Sequence, residues 1–497
     1  MSFGRYFLGS VAVGALLMTT VPAKAQSLNS QMQSLKAQIQ QLNQQLQNLQ
    51  NQVQQTQQKQ AQTDATVNQI KTEPAQAETS AGQPLFKMSG LSPTFSSADG
   101  ANTLSLTGRL HFDMGDYLNY SKKSNSTTPN DLQSGVKARR ARLGVQGKVA
   151  NDFGYAFIMD FGGSTTDNGS TIENAFVTYN GLPVHFIVGY QDTPYTLDEA
   201  TSSNDIMFLE RSSSQVVATE FGSGDNRSAI GAWWNNDRVW AGVFGTGNAS
   251  GNSDNGGASG KGVATQIAMT GRLTYQLVRT PDATLHVGAD VDALLKPPVV
   301  AANSFRGLSL SDAPELDIDK QTILNTGTMG SAANPVTGGH VFGPELAGNI
   351  GPLYGQAEYF HYTVDRQGLS DLNFNGGYVE ASYALTGEQR HYKPGAGAYT
   401  SLAPAHPFAP GSGYWGAWEM AARYSVIDLN DMLGTSTGVA GGKQQTYTVG
   451  LNWYPSSNLR FMLDYIHANV DKQSSATNST QVGAKMDAIA LRTQFAF

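Results

Sequence analysis

Apolar and polar residues alternate along the second half of the chain, most clearly over its last twelve residues, Met486–Phe497. Successive side chains of a β-strand point to opposite faces. One face of this segment would carry Ile489, Leu491, Thr493, Phe495 and Phe497, and the other Ala488, Ala490, Arg492, Gln494 and Ala496. An apolar stripe opposite a small or polar stripe, ending on an aromatic residue, is typical of the closing strand of a membrane β-barrel, although a soluble sandwich can alternate in the same way.

The same alternation recurs through the chain, and this recurrence favours the barrel. Further segments of this kind begin near residues 104, 153, 184, 263, 418, 447 and 459. We expect residues 101–497 to form an all-β, transmembrane antiparallel β-barrel of about 16 strands. The stretch between Val299 and Ile350 is the hardest to divide into strands. A barrel of this size leaves an aqueous lumen.

The longest early connection, Asp192–Asn226, shows little alternation and contains several Ser residues and charges of both signs. Long connections are usually either surface features or functional ones. Two arrangements stay open from the pattern alone. In the first, the segment at about 192–226 folds into the lumen as a constriction loop; in the second, it is an exposed extracellular loop.

The first 25 residues have the three parts of a secretory signal. Arg5 supplies the positive start, Leu8–Met18 the apolar core, and Ala23–Ala25 a small-x-small cleavage site. The apolar core is shorter than the ~20 residues of a spanning helix, which favours cleavage over a membrane anchor. We therefore expect residues 1–25 to be a signal peptide and the mature chain to leave the cytoplasm.

Residues 26–73 show a different period. Large apolar residues step by four and three through Leu28, Met32, Leu35, Ile39, Leu42, Leu46, Leu49 and Val53. This heptad pattern predicts a coiled coil, which needs partner chains and so predicts an oligomer. The alternative is a disordered Gln-rich tail. Residues 74–100, rich in Ala, Ser, Pro and Gly, are predicted to be a linker.

Composition narrows the function classes. The chain has no Cys, which excludes disulfides and thiolate chemistry. Cleavage of the predicted signal peptide removes Arg5 and Lys24 and leaves 30 of the 32 basic residues. With 39 acidic residues, the formal charge of the mature chain is −9, so nucleic acid is not expected as a partner. The His residues are scattered without catalytic or metal-ligand spacing, so we expect no enzyme and no cofactor. A hydrolase with its site dispersed over several strands stays as a minor alternative.

Several segments resemble the phosphate-selective porin O and P family. They are Lys137–Leu143, Leu197–Ser203 followed by Leu209–Arg211, Gly377–Glu388, Gly416–Glu419 and Gly450–Tyr454. The carboxyl-terminal strand and the heptad-patterned amino terminus are also similar to that family. The resemblance implies a homotrimer of sixteen-stranded barrels in the outer-membrane lipid of a Gram-negative bacterium. Each lumen is narrowed by an inward loop and, in the phosphate-selective members, lined by arginines.

Two parts of the family's arginine pattern can be placed on this sequence. Arg139 and Arg140 match its adjacent pair on an early strand, and Arg272 matches an arginine on a strand after the constriction loop. Where phosphate-selective members carry further arginines, this chain has Ala264, Gln266 and Ala268. Adjacent residues of a regular strand face opposite sides, so Arg139 and Arg140 can both face the lumen only near a bulge or a strand end.

Alternation adds Arg109 and Arg142 to the candidate pore-lining, anion-binding residues Arg139, Arg140 and Arg272. Acidic residues share the inward parity, so an arginine taken singly is expected to form a structural salt bridge. Only the pair Arg139 and Arg140 is expected to touch a permeating anion. Guanidinium groups replace part of an anion's hydration with charge-assisted hydrogen bonds, so too few of them weaken selection.

The sequence therefore predicts an outer-membrane porin for passive diffusion of small hydrophilic solutes, especially anions such as phosphate or polyphosphate. Within transport, the alternative is a weakly selective or carbohydrate-passing porin, which the missing arginines and the acidic balance favour. From another class, the alternative is a structural protein whose coiled coil tethers the outer membrane to another envelope layer.

Overall fold

The structure is a computed structural model that describes residues 84–123, 131–163, 171–224, 227–249, 266–300 and 305–497, together with Gln40, Gln44 and Gln47. The chain divides into two compact units, residues 1–80 and 81–497. The predicted signal peptide lies outside the described residues. Of the predicted coiled coil, only the three glutamines are described, and they are helical. The coiled coil therefore stays a prediction.

The described strands of residues 84–300 begin with a hairpin, β1 (Leu85–Ser89) and β2 (Ser92–Ser96). They continue with β3 (Thr103–Lys122), β4 (Gly135–Val149), β5 (Phe153–Asp160), β6 (Thr171–Tyr179), β7 (His185–Gln191), β8 (Arg227–Asn235), β9 (Val239–Ala249), β10 (Ile267–Arg279) and β11 (Ala283–Lys296). The short strands β12 (Val299–Val300), β13 (Phe305–Arg306), β14 (Ser311–Asp312) and β15 (Leu324–Asn325) follow.

The remaining strands are β16 (Val336–Ile350), β17 (Leu353–Arg366), β18 (Leu372–Ala384), β19 (Tyr392–Lys393), β20 (Ala398–Tyr399), β21 (Ala417–Asp431), β22 (Val439–Ser456), β23 (Leu459–Asp471), β24 (Gln473–Ser475), β25 (Asn478–Gln481) and β26 (Ala484–Ala496). Two α-helices, α1 (Leu197–Ala200) and α2 (Ser213–Phe221), and one 3₁₀ turn, Pro410–Ser412, complete the described elements. No helix in the described part of the chain is long and apolar enough to cross a membrane.

Within the described residues, sixteen strands form a closed antiparallel barrel. Each long strand from β3 to β26 pairs with the next long strand along the chain, and β26 pairs back with β3, for example Arg492 opposite Asp113. The prediction of about sixteen strands is confirmed. Closure leaves every barrel strand paired on both sides, as a membrane barrel requires.

The two faces of the barrel follow the predicted alternation. In β26, Ile489 and Phe495 are exposed, whereas Ala488, Ala490 and Arg492 are buried. Alternation continues on the neighbouring strands, so apolar side chains cover the outside and polar or small side chains face the lumen.

The turns between barrel strands differ in length at the two ends. Connections of two to five residues join β4 to β5, β6 to β7, β8 to β9, β10 to β11, β16 to β17 and β22 to β23. Because the strands alternate in direction, all of these turns lie at one end, and short turns are typical of the periplasmic side. Most of the longer connections, including 192–226, leave from the opposite end.

The connection between β7 and β8 lies across the lumen. We call its described residues, 192–224, the constriction segment. The backbone N–H of Leu197 donates to Glu358 on β17 at 2.7 Å, that of Leu209 to Asp464 on β23 at 2.8 Å, and that of Ser223 to Asp292 on β11 at 2.7 Å. Partners on three well-separated strands place this segment inside the barrel, so the alternative of an exposed loop does not describe it.

Two further segments enter the lumen. From residues 297–335, Glu315 accepts hydrogen bonds from Arg423 on β21 and from the backbone N–H of Ser213 in the constriction segment. Residues 385–416 enter from the short-turn end, and Arg390 of this segment forms a bidentate pair with Glu419 on β21. The buried apolar clusters lie between these segments and the inner wall.

Within the predicted linker 74–100, the described residues include a hairpin, β1–β2, over 85–96. The first residues of β3 extend past the end of β26, whose last pair is Ala496 with Arg109. This leaves an open strand edge, and β2 pairs with it from Thr94 opposite Ser105 to Ser96 opposite Thr103. Gly90, with φ 61°, allows the tight turn between the two hairpin strands. The short apolar alternation of this hairpin was hidden by its Ser-rich and Pro-containing composition.

Leu463 provides a test of the lipid-facing surface. It lies on β23 between Leu451 and Leu491, and 40% of it is exposed. We expect Leu463→Arg to lower the unfolding free energy by about 2–4 kcal/mol, because a charged side chain would enter the apolar band. Urea unfolding in lipid vesicles measures this change, with Leu463→Met as the control. Equal stabilities of the two variants would contradict this assignment of faces.

Candidate functional site

A β-bulge brings the predicted arginine pair to one side of the wall. The pairing of β3 with β4 passes from His111 opposite Arg140 to Phe112 opposite Ala138, so Arg139 is an extra residue in β4. A bulge of this kind reorients one side chain. As a result, the side chains of both Arg139 and Arg140 lie on the lumen side of β4. Alternation allows this for two adjacent residues only at a bulge or a strand end.

Arg139 is held in an ion-pair network with the constriction segment. Its Nε and Nη2 donate to the two carboxylate oxygens of Glu210 at 2.8 and 3.0 Å, and its Nε lies 2.9 Å from Asp317. Arg492 also donates to Glu210, at 3.0 Å. Burial would raise the pKa of Glu210, but the charges of the neighbouring arginines hold it well below its usual range. Glu210 therefore stays ionised and occupies Arg139.

Arg140 differs from its neighbour. Only 4% of it is exposed, and its Nε and Nη1 are buried without a hydrogen-bond partner. No carboxylate of the described chain lies within salt-bridge distance of it. A buried guanidinium with unused donors carries a large desolvation cost unless something else accepts those hydrogen bonds. Arg140 thus presents unused N–H donors to the lumen.

Arg109, on β3, donates to two hydroxyl groups of the constriction segment. Its Nη1 lies 2.5 Å from Ser203 Oγ and its Nη2 3.2 Å from Ser202 Oγ. Among the described residues no salt bridge neutralises it. Arg109 therefore keeps its positive charge and positions two serine hydroxyls beside it.

Arg142 and Arg211 have carboxylate partners. Arg142 donates to Asp160 at 2.7 Å and pairs closely with Glu173. Arg211 lies 3.5 Å from Glu199 and donates to the carbonyl oxygens of the constriction segment. Both arginines contribute charge to the surroundings of Arg140, but their positive charge is largely balanced.

These residues surround a cavity of about 150 Å³ between the constriction segment and strands β3–β6, which we call the arginine cavity. Its lining includes Arg109, Arg140, Arg142, Arg211, Ser202, Ser203, Glu173, Asp192 and Glu199. A second cavity, of about 470 Å³, is lined by Arg139, Glu210, Gln215 and residues 309–322. Arg140, Arg211 and Glu199 line both cavities. Arg140 thus lies where the two spaces meet.

Arg272, on β10, lies outside both cavities, and its side chain is fully buried. Its Nε donates to both oxygens of Glu345, and its terminal nitrogens donate to the carbonyl oxygens of Ala396 and Gly397. Its side chain is 0% exposed. Of the five arginines predicted to line the pore, Arg272 instead joins the wall to the inward segment 385–416, so the predicted pore-lining role does not fit its contacts.

The pattern of alternating residues missed several members of the site. Ser202, Ser203 and Arg211 lie in a segment without periodicity, and Glu173 lies on β6, a strand that alternation did not single out. The one available signal was the resemblance of Leu197–Ser203 and Leu209–Arg211 to family segments. That resemblance marked the positions without giving them roles.

The chain is similar in sequence or in structure to several known proteins. An uncharacterized protein of Caulobacter vibrioides is 27% identical over 398 residues, covering 80% of this chain and 74% of that protein. Porin O of Pseudomonas aeruginosa is 26% identical over 415 residues, covering 79% of this chain and 88% of Porin O. The solved anion-selective porin from Comamonas acidovorans is 14% identical, with a TM-score of 0.48, and covers 80% of this chain and all of that one.

The family comparison covers the whole barrel. The model of the family described as phosphate-selective porin O and P matches residues 104–497, which run from the second residue of β3 to the carboxyl terminus. The closed sixteen-stranded barrel with a segment across its lumen is the architecture that a porin needs. The chain belongs to the phosphate-selective porin O and P family and is an outer-membrane porin of the Gram-negative type, a channel for small hydrophilic solutes.

Proposed function

We propose that this porin prefers small anions such as phosphate, and that Arg140 is its principal anion contact. The observation that carries the proposal is the buried guanidinium of Arg140, whose Nε and Nη1 have no partner within the described chain. A permeating oxyanion would accept these hydrogen bonds and remove the cost of leaving them unmade. The position of Arg140 between the two cavities supports a role along the route of the solute.

Arg109, Ser202 and Ser203 complete the proposed contact. Arg109 adds a positive charge without a carboxylate partner, and the two serine hydroxyls can donate to an oxyanion or accept from Arg109. An anion would thereby exchange part of its hydration shell for a few fixed donors. Because the contacts are few, binding stays weak enough for the ion to leave. Transport is passive and requires no cofactor and no enzymatic step.

A weakly selective, carbohydrate-passing channel is the second candidate, and one observation favours it. Glu173, Asp192 and Glu199 line the arginine cavity beside the arginines. Carboxylates there lower the positive potential, and together with hydroxyls they suit neutral polyhydroxylated solutes. The two candidates differ in the sign and size of ion selectivity, which bilayer recordings measure directly.

The first test removes the unpartnered guanidinium. We expect Arg140→Ala to weaken the phosphate block of the chloride current by tenfold or more, because a charge-assisted hydrogen bond contributes about 1.5–3 kcal/mol. The anion-to-cation permeability ratio should fall at the same time. Single-channel recording in planar bilayers under a chloride gradient, with phosphate titrated on one side, gives both quantities.

Arg279→Ala is the matched control, because it removes the same charge from the last residue of β10 at the short-turn end, where the Arg279 side chain is 44% exposed and pairs with Asp237. Its reversal potential and phosphate block should equal those of the wild type. Unchanged block in Arg140→Ala would contradict the proposed anion contact. A wild-type channel with no anion preference would favour the carbohydrate-passing alternative.

A second test releases the neighbouring arginine. Glu210→Gln removes one of the two carboxylates that pair with Arg139 and leaves Asp317 at its Nε, so part of a second guanidinium charge becomes available beside Arg140. We expect stronger phosphate block and a higher anion-to-cation ratio in the same recordings. Asp237→Asn removes an equal negative charge from an exposed turn, where it pairs with Arg279, and should change neither quantity. A loss of anion preference in Glu210→Gln would mean that Glu210 positions the site instead of masking it.

We extend the proposal to a homotrimer stabilised by residues 28–70. The heptad pattern of these residues requires partner chains, and the broad apolar outer face of the barrel can pack against neighbours. The envelope-tethering alternative would use the same segment for a different partner.

Deletion of residues 28–70 tests this part. We expect the trimer to dissociate at a lower temperature in detergent, while the conductance per barrel stays unchanged because residues 84–497 contain the closed barrel. Native gel electrophoresis across a temperature series measures the first quantity and bilayer recording the second. An unaltered dissociation temperature, together with loss of envelope attachment in cells, would favour tethering over trimer stabilisation.

A further inference from the structure

Three carboxylates meet on a different sector of the inner wall from the arginine cavity. They belong to Asp290 on β11, Glu345 on β16 and Glu358 on β17, and one oxygen of each lies within 4.8 Å of the others. Each residue is at most 4% exposed. Strand register explains the convergence, because Glu345 lies directly opposite Glu358 and two positions along from the partner of Asp290.

The surroundings do not balance this charge. Glu345 pairs with Arg272 at 3.0 Å and contacts His286 Nε2 at 2.9 Å. Glu358 accepts from the Leu197 backbone N–H and the Tyr378 hydroxyl, which are neutral donors. Three carboxylates share this buried site with one guanidinium, that of Arg272, which leaves an excess of negative charge. Such a site is unstable unless a cation or protons neutralise it.

Asp290 gives the second, independent observation. Only 2% of it is exposed, and both of its carboxylate oxygens are buried without a hydrogen-bond partner in the described chain. Gly343 lies opposite it, and a Cβ at that position would be 2.4 Å from Asp290 Oδ1. The wall therefore makes room for a carboxylate that accepts no hydrogen bond from the described residues.

Two further hydroxyl groups also lack hydrogen-bond partners within the described chain. The hydroxyls of Tyr195, in the constriction segment, and of Thr270, on β10, are buried and make no hydrogen bond to the described chain. Thr270 lies opposite Asp292, which is two residues from Asp290 on β11. Carboxylates and hydroxyls without thiolates form a hard, all-oxygen donor set.

We propose that Asp290, Glu345 and Glu358 bind a hard divalent cation of the calcium type. Ca²⁺ takes oxygen ligands at about 2.3–2.6 Å, so oxygens on opposite sides of the ion can be about 5 Å apart, which accommodates the observed 4.8 Å limit. The two positive charges of such a cation neutralise the excess of negative charge. Mg²⁺ demands shorter distances and octahedral geometry and fits this irregular set less well.

The cation would fix the constriction segment to the wall. Glu358 also accepts hydrogen bonds from the backbone N–H groups of Leu197 and Asp198 at the start of α1. A bound ion orients that carboxylate and thereby the segment. The arginine cavity is lined by β3–β6, whereas the cation site lies on β11, β16 and β17, so the two sites hold opposite sides of the same segment.

The test uses the full-length protein refolded in detergent without lipopolysaccharide and freed of metal with EDTA. Tb³⁺ serves as a luminescent substitute for Ca²⁺, excited through the tyrosines. We expect saturable Tb³⁺ luminescence that Ca²⁺ displaces, and a higher thermal unfolding midpoint in Ca²⁺ than in EDTA. Asp290→Asn should lower the Ca²⁺ affinity by about tenfold or more, because it removes a charged ligand.

Asp237→Asn is the control, because Asp237 is an acid with an 80% exposed side chain, located in the β8–β9 turn. It should bind Tb³⁺ and respond to Ca²⁺ as the wild type does. Two results would overturn the proposal: a wild type with neither saturable Tb³⁺ luminescence nor a Ca²⁺-dependent shift, or an Asp290→Asn protein with unchanged affinity. The first result would mean that protons neutralise the carboxylates, and it does not depend on whether any variant folds.

Discussion

Charge pairing inside the barrel is the constraint on which the rest of the structure depends. The wall presents buried arginines and carboxylates to a lumen that the inward segments largely fill, so each charge needs a partner. Arg492 joins Asp113 on the adjacent strand to Glu210 of the constriction segment, and Arg423 joins the wall to Glu315 of another segment. Removing one partner of a buried pair costs about 3–5 kcal/mol, so such networks define where a segment can lie.

Against this background, an unpaired charge is informative. Arg139 and Arg140 are neighbours in sequence, yet Glu210 pairs with Arg139, whereas Nε and Nη1 of Arg140 have no hydrogen-bond partner in the described chain. On another sector of the wall, Arg272 pairs with Glu345, whereas the Asp290 carboxylate accepts no hydrogen bond from the described residues. Charge pairing therefore distinguishes the groups that hold the structure together from those available to solutes or ions. The region around Arg140 has a surplus of positive charge, and the region around Asp290 has a surplus of negative charge.

The sequence predicted the barrel well because lipid and lumen impose a period of two on every strand. Acids and arginines on the inward face, such as Asp113, Asp464 and Arg492, are buried, as the alternation requires. Inward segments follow no period, so the role of residues 385–416 and the strand division after Val299 could not be read from the pattern. The pairing of Arg272 with Glu345 was equally hidden, because it depends on the register of β10, β11 and β16. The bulge at Arg139 could be anticipated only as a condition for both arginines to face inward.

The two inward segments that meet at Asp205 enter from opposite ends of the barrel. Arg390, from the short-turn end, donates to the Asp205 carbonyl of the constriction segment at 2.6 Å, and the Ser401 backbone N–H donates to its carboxylate at 2.9 Å. Closure requires β26 to find β3, nearly the whole barrel sequence away. Closure of the wall thus depends on contacts between residues far apart in the sequence, which makes folding slow.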